Sequence, residues 1–204
     1  LFHYSLAMSS FIDTLHSIDD SVLLFVNGKN SPFMDRLMFI ISGRFTWIPL
    51  YLLFAIFIWM KYKTESWIVF LFAVLAIVLS DQFADLIKNE VMRLRPSHTP
   101  DIMNLLHYYK NPDGEPYMGG LYGFVSNHAA NATSLGLFLS LLFRSKFVTV
   151  GLILWVLLLS YSRMYLGVHF PTDILGGIAV GLLTGFVSYK SCMVLKKRIY
   201  SGND

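Results

Sequence analysis

Five segments of this chain run for 15 residues or more without an acidic or basic side chain: Phe45–Met60, Ser66–Ser80, Leu121–Phe143, Phe147–Ser162 and Ile174–Tyr189. A helix that crosses a bilayer needs about 20 predominantly apolar residues. The shorter runs must therefore borrow their flanks, and the second is expected to continue through Asp81 to near Arg95. Five buried helices of a soluble bundle would be the other use of such runs. Composition opposes that use. Only 14% of the residues are charged, against roughly 25% in a soluble domain, and mean hydropathy is +0.55. The fold expected is an all-α, polytopic membrane helix bundle of about five spans.

Ahead of the first run, Phe11, Leu15, Ile18, Val22 and Phe25 recur at helical spacing among acidic residues. This pattern over Phe11–Asn27 predicts an amphipathic helix lying on the membrane surface. Phe33–Ile41 is expected to form a second short one. Leu1 to Ala7 precede the first methionine, Met8; they are expected to be an appended segment and are left out of the fold. Residues 8–204 read as one domain. No cleavable signal peptide is visible, so insertion should rely on the apolar segments. The lone cysteine, Cys192, allows no intramolecular disulfide and reads as a small apolar helix residue. The net charge of +3 is scattered rather than gathered in a patch, which sets nucleic acid aside.

Counting spans places Lys61 and Lys63, Arg144 and Lys146, and Lys190, Lys196, Lys197 and Arg198 on one side. The positive-inside rule makes that side cytoplasmic. Lys29, Arg36, Arg44, Lys88, Arg93, Arg95, Lys110 and Arg163 fall on the other, so a raw count does not separate the two. Several of these outer cations have a chemical reason to be there. Asn131-Ala-Thr133 matches a glycosylation acceptor but lies inside an apolar run. Gly177, Gly181 and Gly185 repeat every four residues and read as a face for close helix packing.

Polar groups in or beside a membrane span are costly and by default suggest function. Three clusters do so, all at the same membrane face. In the first, Lys88-Asn-Glu-Val-Met-Arg-Leu-Arg95-Pro96, a continuous helix would put Lys88 and Arg95 on one face, about 10.5 Å apart along the axis. Pro96 ends the helix near Arg95. Both cations suit phosphate oxygens, Arg as a planar fork and Lys as a compact charge. Asp81 and Asp85 share that face and read first as internal ion pairs for these cations. The second cluster, Ser126-Asn127-His128, opens a span, where free backbone N–H groups attract anions. Ser126 alone would be an ordinary N-cap, and His128 alone more often structural than catalytic. The third, Ser162-Arg163 to His169 and Asp173, sets a histidine four residues before a carboxylate able to orient its ring. Three cations, two histidines and a serine suit a dianionic phosphoryl group. A metal is not indicated: no HExxH-like pattern is present, and His98 and His107 stand at unrelated spacing.

These clusters resemble the three signatures of the type-2 phosphatidic-acid phosphatase superfamily, K-x6-R-P, P-S-G-H and S-R-x5-H-x3-D. The first and third match at Lys88, Arg95, Pro96, Ser162, Arg163, His169 and Asp173. The second keeps Ser126 and His128 but has Val125 for Pro and Asn127 for Gly. The resemblance covers about Phe45 to Tyr189. It implies that His169 attacks phosphorus to form a phosphohistidine and that Asp173 orients it. His128 would protonate the leaving oxygen and later activate water. Lys88, Arg95, Arg163, Ser126 and the Asn127 backbone N–H would hold the phosphate, with no metal or cofactor. Family members in membranes commonly have six spans, so an amino-terminal span would be lost or reduced here.

The expected protein is thus a bacterial inner-membrane phosphatase or diphosphatase, residues 8–204 forming the phosphatase domain, with its active site on the periplasmic or outer side. Candidate substrates are undecaprenyl diphosphate, phosphatidylglycerophosphate, phosphatidic acid and lipid A. Tyr108, Tyr109, Tyr117 and Tyr122 in the outer loop would line a headgroup site or form an interfacial belt. A transporter whose charges line a pathway and a non-catalytic lipid-phosphate binder remain alternatives. A soluble vanadate-dependent haloperoxidase shares the motifs but is opposed by the apolar runs.

Overall fold

The computed structural model describes residues 2–111 and 113–200, with side chains from Ile12 onward. Eight helices follow one another: α1 (Phe2–Asn27), α2 (Pro32–Ser42), α3 (Ile48–Tyr62), α4 (Ser66–Val91), α5 (Pro100–Met103), α6 (Asn127–Phe143), α7 (Lys146–Tyr165) and α8 (Pro171–Tyr200). No β-strand occurs among the described residues. The five apolar runs become α3, α4, α6, α7 and α8; the Phe33–Ile41 stretch falls in α2, and the helix expected over Phe11–Asn27 is α1, which begins earlier, at Phe2. Three stretches are long and apolar enough to cross a membrane: Ile48–Val91, which folds as α3 and α4, Lys146–Tyr165 and Pro171–Tyr200. At 17 residues, α6 is shorter, because its first six apolar residues, Leu121–Ser126, are spent on a loop.

Helix ends follow local chemistry. Pro32 opens α2 behind Ser31, whose hydroxyl accepts from Met34 N at 3.3 Å. Pro171 opens α8, where a missing N–H costs nothing. Between α7 and α8 the chain turns through Gly167 at φ +68, a conformation that a side chain would strain. That turn delivers His169 to the site.

α6 runs through the centre, between α4, α7 and α8. Lipid tails supply no hydrophobic drive between helices, so packing depends on close approach. Gly177, Gly181 and Gly185 lie against Ser126 O, Ala130 O and Ser134 O of the α6 segment. A Cβ at Gly181 would sit 2.7 Å from Thr133 Cβ. We therefore expect Gly181→Leu to prevent folding. Gly181→Ala should cost about 1–3 kcal/mol of overpacking, read as a lowered melting temperature in detergent. An unchanged melting temperature for the alanine variant would contradict this packing.

In α1 the buried side chains are Asp19, Leu23, Val26 and Asn27. The apolar stripe that marks the helix points outward instead, with Ile18 52% and Phe25 65% exposed. Phe11 lies outside the described side chains. In a bilayer, the outward stripe faces lipid while a partly polar face grips the protein. Asn27 illustrates the grip: its amide donates to His107 O and Tyr165 O, both at 2.8 Å, and accepts from His107 N at 2.8 Å.

The basic groups assigned to one side do meet at one end of the bundle. Lys61 Nζ donates to Leu142 O at 3.0 Å, Lys196 pairs with Glu65 at 2.7 Å and Arg144 reaches Tyr189 Oη at 3.4 Å. The three polar clusters lie at the opposite end.

Candidate active site

Lys88 projects from the last turn of α4. Its Nζ lies 3.2 Å from Asp85 Oδ1 and donates to Asn127 Oδ1. The Asn127 amide nitrogen donates to both Asp81 and Asp85 at 2.9 Å, and Asn131 donates to Asp81 at 2.9 Å. Asp85 thus forms the expected ion pair. Asp81, two turns or about 10.5 Å from Lys88, is held by two amides instead. Asn131, in the apparent glycosylation triplet, is one of these internal ligands.

Arg95 is not on a helix with Lys88, contrary to the spacing argument. α4 stops at Val91; Met92 turns left-handed at φ 48, and its N–H meets Lys88 O at 2.9 Å. Arg95 is extended, with ψ 156, the region that a following proline favours. The two cations converge because the outer loop returns. Arg95 N donates to Leu121 O at 3.0 Å and Gly123 N to Arg93 O at 2.8 Å. The Arg95 guanidinium is then fixed by Tyr122 O at 3.0 Å and Val168 O at 3.2 Å. Burial, and next the charge of Arg163, lower its pKa to about 10, so it remains a cation at neutral pH.

His169 is 1% exposed. Arg95 Nη1 donates to its Nε2 at 3.1 Å. Arginine only donates, so Nε2 carries the lone pair and the neutral ring's proton is on Nδ1. That nitrogen faces Asp173 Oδ2 at 3.4 Å, longer than a formed hydrogen bond. Asp173 Oδ2 also accepts from Phe170 N at 2.9 Å, and Oδ1 pairs with Arg93 at 3.0 Å. Burial, then the charges of Arg95 and Arg163, hold the His169 imidazole well below its ordinary pKa. Gly123 is a close-approach position here: a Cβ would lie 2.8 Å from Asp173 Oδ2.

Ser126 caps α6, its hydroxyl accepting from Ala129 N at 3.5 Å, and is fully buried. The hydroxyl takes the ordinary capping role as an acceptor and keeps its own proton to donate. Its backbone N–H donates to Asp173 O at 2.9 Å, tying the second cluster to the third. Arg163 is buried near the end of α7, donating to Ser42 Oγ and, at 3.2 Å, to Tyr117 Oη.

Lys88, Arg95, Asn127, His128 and His169 line one cavity of about 620 Å³. Its other walls are Arg44, Trp47 and Tyr51 at α3, with Ile77, Val78, Asp81 and Gln82 of α4. The walls from α3 and α4 thus mix apolar and aromatic groups (Trp47, Tyr51, Ile77, Val78) with polar ones (Arg44, Asp81, Gln82). None of the four outer-loop tyrosines lines it. Tyr109 stacks on Phe39 at 4.3 Å, and Tyr117 is engaged by Arg163. Trp47 and Tyr51 take the aromatic role instead. They went unremarked in the sequence because an aromatic inside an apolar run carries no signal of its own. His107 is bound to Asp35 at 2.9 Å and His98 to Ser97 at 3.1 Å. Among the described residues no cluster of His, Cys, Asp and Glu is arranged to hold a metal.

A helical membrane bundle with cations and two histidines around one cavity has the groups that a membrane phosphatase requires. Residues 68–196 match the family model of the PAP2 superfamily, and the chain belongs to that superfamily: it is a phosphoric ester hydrolase. Among its relatives, the lipid A 4'-phosphatase of Porphyromonas gingivalis is 39% identical over 183 residues, 89% of this chain and 75% of that protein. The lipid A 4'-phosphatase of Bacteroides thetaiotaomicron is 37% identical over 195 residues, 93% of this chain and 84% of that one. The crystal structure of a transmembrane PAP2-type phosphatidylglycerolphosphate phosphatase from Bacillus subtilis shares the fold. Its TM-score is 0.63 at 22% identity, with 97% of this chain and 94% of that chain covered.

Proposed function

We propose that this protein removes the 4'-phosphate of a lipid A molecule from within the bacterial inner membrane, through a phosphohistidine intermediate and without metal. The supporting observation is the cavity that Lys88, Arg95, His128 and His169 line together, with Trp47, Tyr51, Ile77 and Val78 among its other walls. The two lipid A 4'-phosphatase relatives favour that substrate over the other lipid phosphates. The position of the basic ends favours a cavity facing the periplasm.

A phosphoryl oxygen takes over the Arg95 N–H that the His169 Nε2 now accepts. The freed lone pair attacks phosphorus in line, and the P–O bond to the lipid breaks. His128 gives the departing oxygen its proton. Water then attacks phosphorus and gives its proton to His128; the new O–P bond replaces the Nε2–P bond, whose electron pair returns to the ring as phosphate leaves. Lys88, Arg95, Arg163 and the Asn127 backbone hold the oxygens as charge shifts, and Asp173 stabilises the ring proton on Nδ1. Ser126 contributes by capping the helix that carries Asn127 and His128.

The test is phosphate release in detergent with excess EDTA from bis-phosphorylated lipid A, phosphatidylglycerophosphate, phosphatidic acid and undecaprenyl diphosphate. Mass spectrometry of the lipid A product separates loss at the 4' position from loss at the 1 position. Preferred loss at 4' is expected. Exclusive turnover of a glycerophospholipid would reject lipid A, and EDTA inhibition would reject the metal-free route.

A pH dependence follows from His169. Its neutral form attacks, and its pKa lies well below the ordinary 6.5. The nucleophile therefore stays available as pH falls through 6.5. The acid limb of kcat/KM for wild type is expected below that value. Arg163→Gln removes one of the charges that depress the pKa and should move the limb upward. A wild-type midpoint at or above 6.5 would contradict this assignment.

A further inference from the structure

We propose that Arg93 and Asp19 act as positioning residues for Asp173, linking the surface helix α1 to the nucleophile. Arg93 belongs to none of the three motifs' fixed positions, and Asp19 lies far from them in sequence. The fold brings both beneath the site. Arg93 Nη1 donates to Asp173 Oδ1 at 3.0 Å and to Thr172 Oγ1 at 2.6 Å. Its Nη2 donates to Asp19 Oδ2 at 2.7 Å, and its guanidinium lies 4.2 Å from the centre of the Phe170 ring. Asp19 Oδ1 in turn accepts from Thr172 N at 2.9 Å, capping the first turn of α8 from another helix.

The arrangement restricts what Asp173 can do. Its carboxylate is fully buried, where an unpaired charge is strongly disfavoured. Arg93 supplies the opposite charge at Oδ1, which leaves Oδ2 aimed at His169 Nδ1. A lone arginine on a loop would have several rotamers. Asp19, 1% exposed, removes that freedom by engaging the second nitrogen. Asp19 also holds the turn that carries Asp173. The chain Asp19, Arg93, Asp173, His169 therefore runs from the membrane-surface helix to the lone pair on Nε2. Neither Arg93 nor Asp19 lines the substrate cavity, so their effect should fall on turnover rather than on substrate binding.

The inference rests on the assignment of His169 as nucleophile, and the experiment keeps the two separable. Wild type, Arg93→Gln, Arg93→Lys, Asp19→Asn, the Asp19→Asn/Arg93→Gln double variant and His169→Ala are purified in detergent. Folded protein is quantified by gel filtration, and kcat and KM are measured on the preferred lipid at saturating and limiting concentrations. Arg93→Gln is expected to lower kcat at least 10-fold with KM changed less than 2-fold. Arg93→Lys should recover part of kcat, because it restores the charge without the fork. Asp19→Asn should lower kcat about 3- to 10-fold, and the double variant should be no worse than Arg93→Gln, since both act through one carboxylate. The proposal is overturned if Arg93→Gln keeps wild-type kcat, if its loss lies in KM, or if the two losses multiply. It is also overturned if folded Arg93→Lys and Asp19→Asn both retain wild-type kcat. If His169→Ala remains active, the nucleophile assignment itself fails. A dead His169→Ala beside a normal Arg93→Gln sinks only the relay.

Discussion

Replacing His169 with alanine is expected to lower phosphate release by at least about 10³-fold, equivalent to about 4 kcal/mol of barrier, while the protein remains folded. The ring is held between Arg95 and Asp173, and it lines the cavity. In the proposed mechanism His128 serves the leaving group, and it sits on α6 rather than on the turn before α8. The measurement is single-turnover release from lipid A with EDTA, alongside acid-labile phosphate trapped on the wild-type protein. Activity within tenfold of wild type in the alanine variant would falsify the phosphohistidine route. It would return attention to direct attack by water, or to transport through the same charged cavity.

Arg95→Lys is expected to lose about 10²-fold in kcat/KM despite conserving charge, an effect of about 3 kcal/mol. Arg95 uses Nε on Tyr122 O and Nη1 on Val168 O and His169 Nε2. A lysine ammonium is one point charge and cannot keep these contacts while also meeting a phosphate oxygen. It would leave the Tyr122 carbonyl of the outer loop and the Val168 carbonyl of the turn before α8 unpaired, and the loop that returns over the site would loosen. Lys88→Arg should be better tolerated only if charge alone matters there. Equal activity of Arg95→Lys and wild type would show that the fork has no geometric role.

The amphipathic pattern of α1 shows how a sequence signal can be right about an element and silent about its orientation. Ile18, Val22 and Phe25 mark a helix through their period. In a soluble protein that face would turn inward. Here the surrounding solvent is lipid, so the stripe faces out and Asp19 and Asn27 face in. A buried aspartate within an acidic stretch is indistinguishable by sequence from its solvated neighbours. Arg93 was masked in another way: it stood two residues before a motif arginine and read as one of several outer cations.

Lys88 and Arg95 carry the same lesson at the site. Seven-residue spacing is two helical turns, so a shared helix face was the natural expectation. Met92 and Pro96 break the helix between and beyond them, and convergence comes from the loop that returns through Leu121–Gly123. Ser126, expected both as a cap and as a phosphate ligand, caps α6 through its acceptor oxygen.

Sequence alone determined the elements and the kind of chemistry: five apolar helices, two further amphipathic ones, and clusters of cations, histidines and an aspartate suited to a phosphoryl group. Those properties depend on residue type and local spacing, and both are written along the chain. Tertiary structure decided which groups share a cavity, that Trp47 and Tyr51 wall it, and that Arg93 and Asp19 stand behind Asp173. The Arg93 contacts with Asp19 and Asp173 join segments 70 or more residues apart. They arise from how α1, the outer loop and α8 close on one another, and no local pattern encodes that closure.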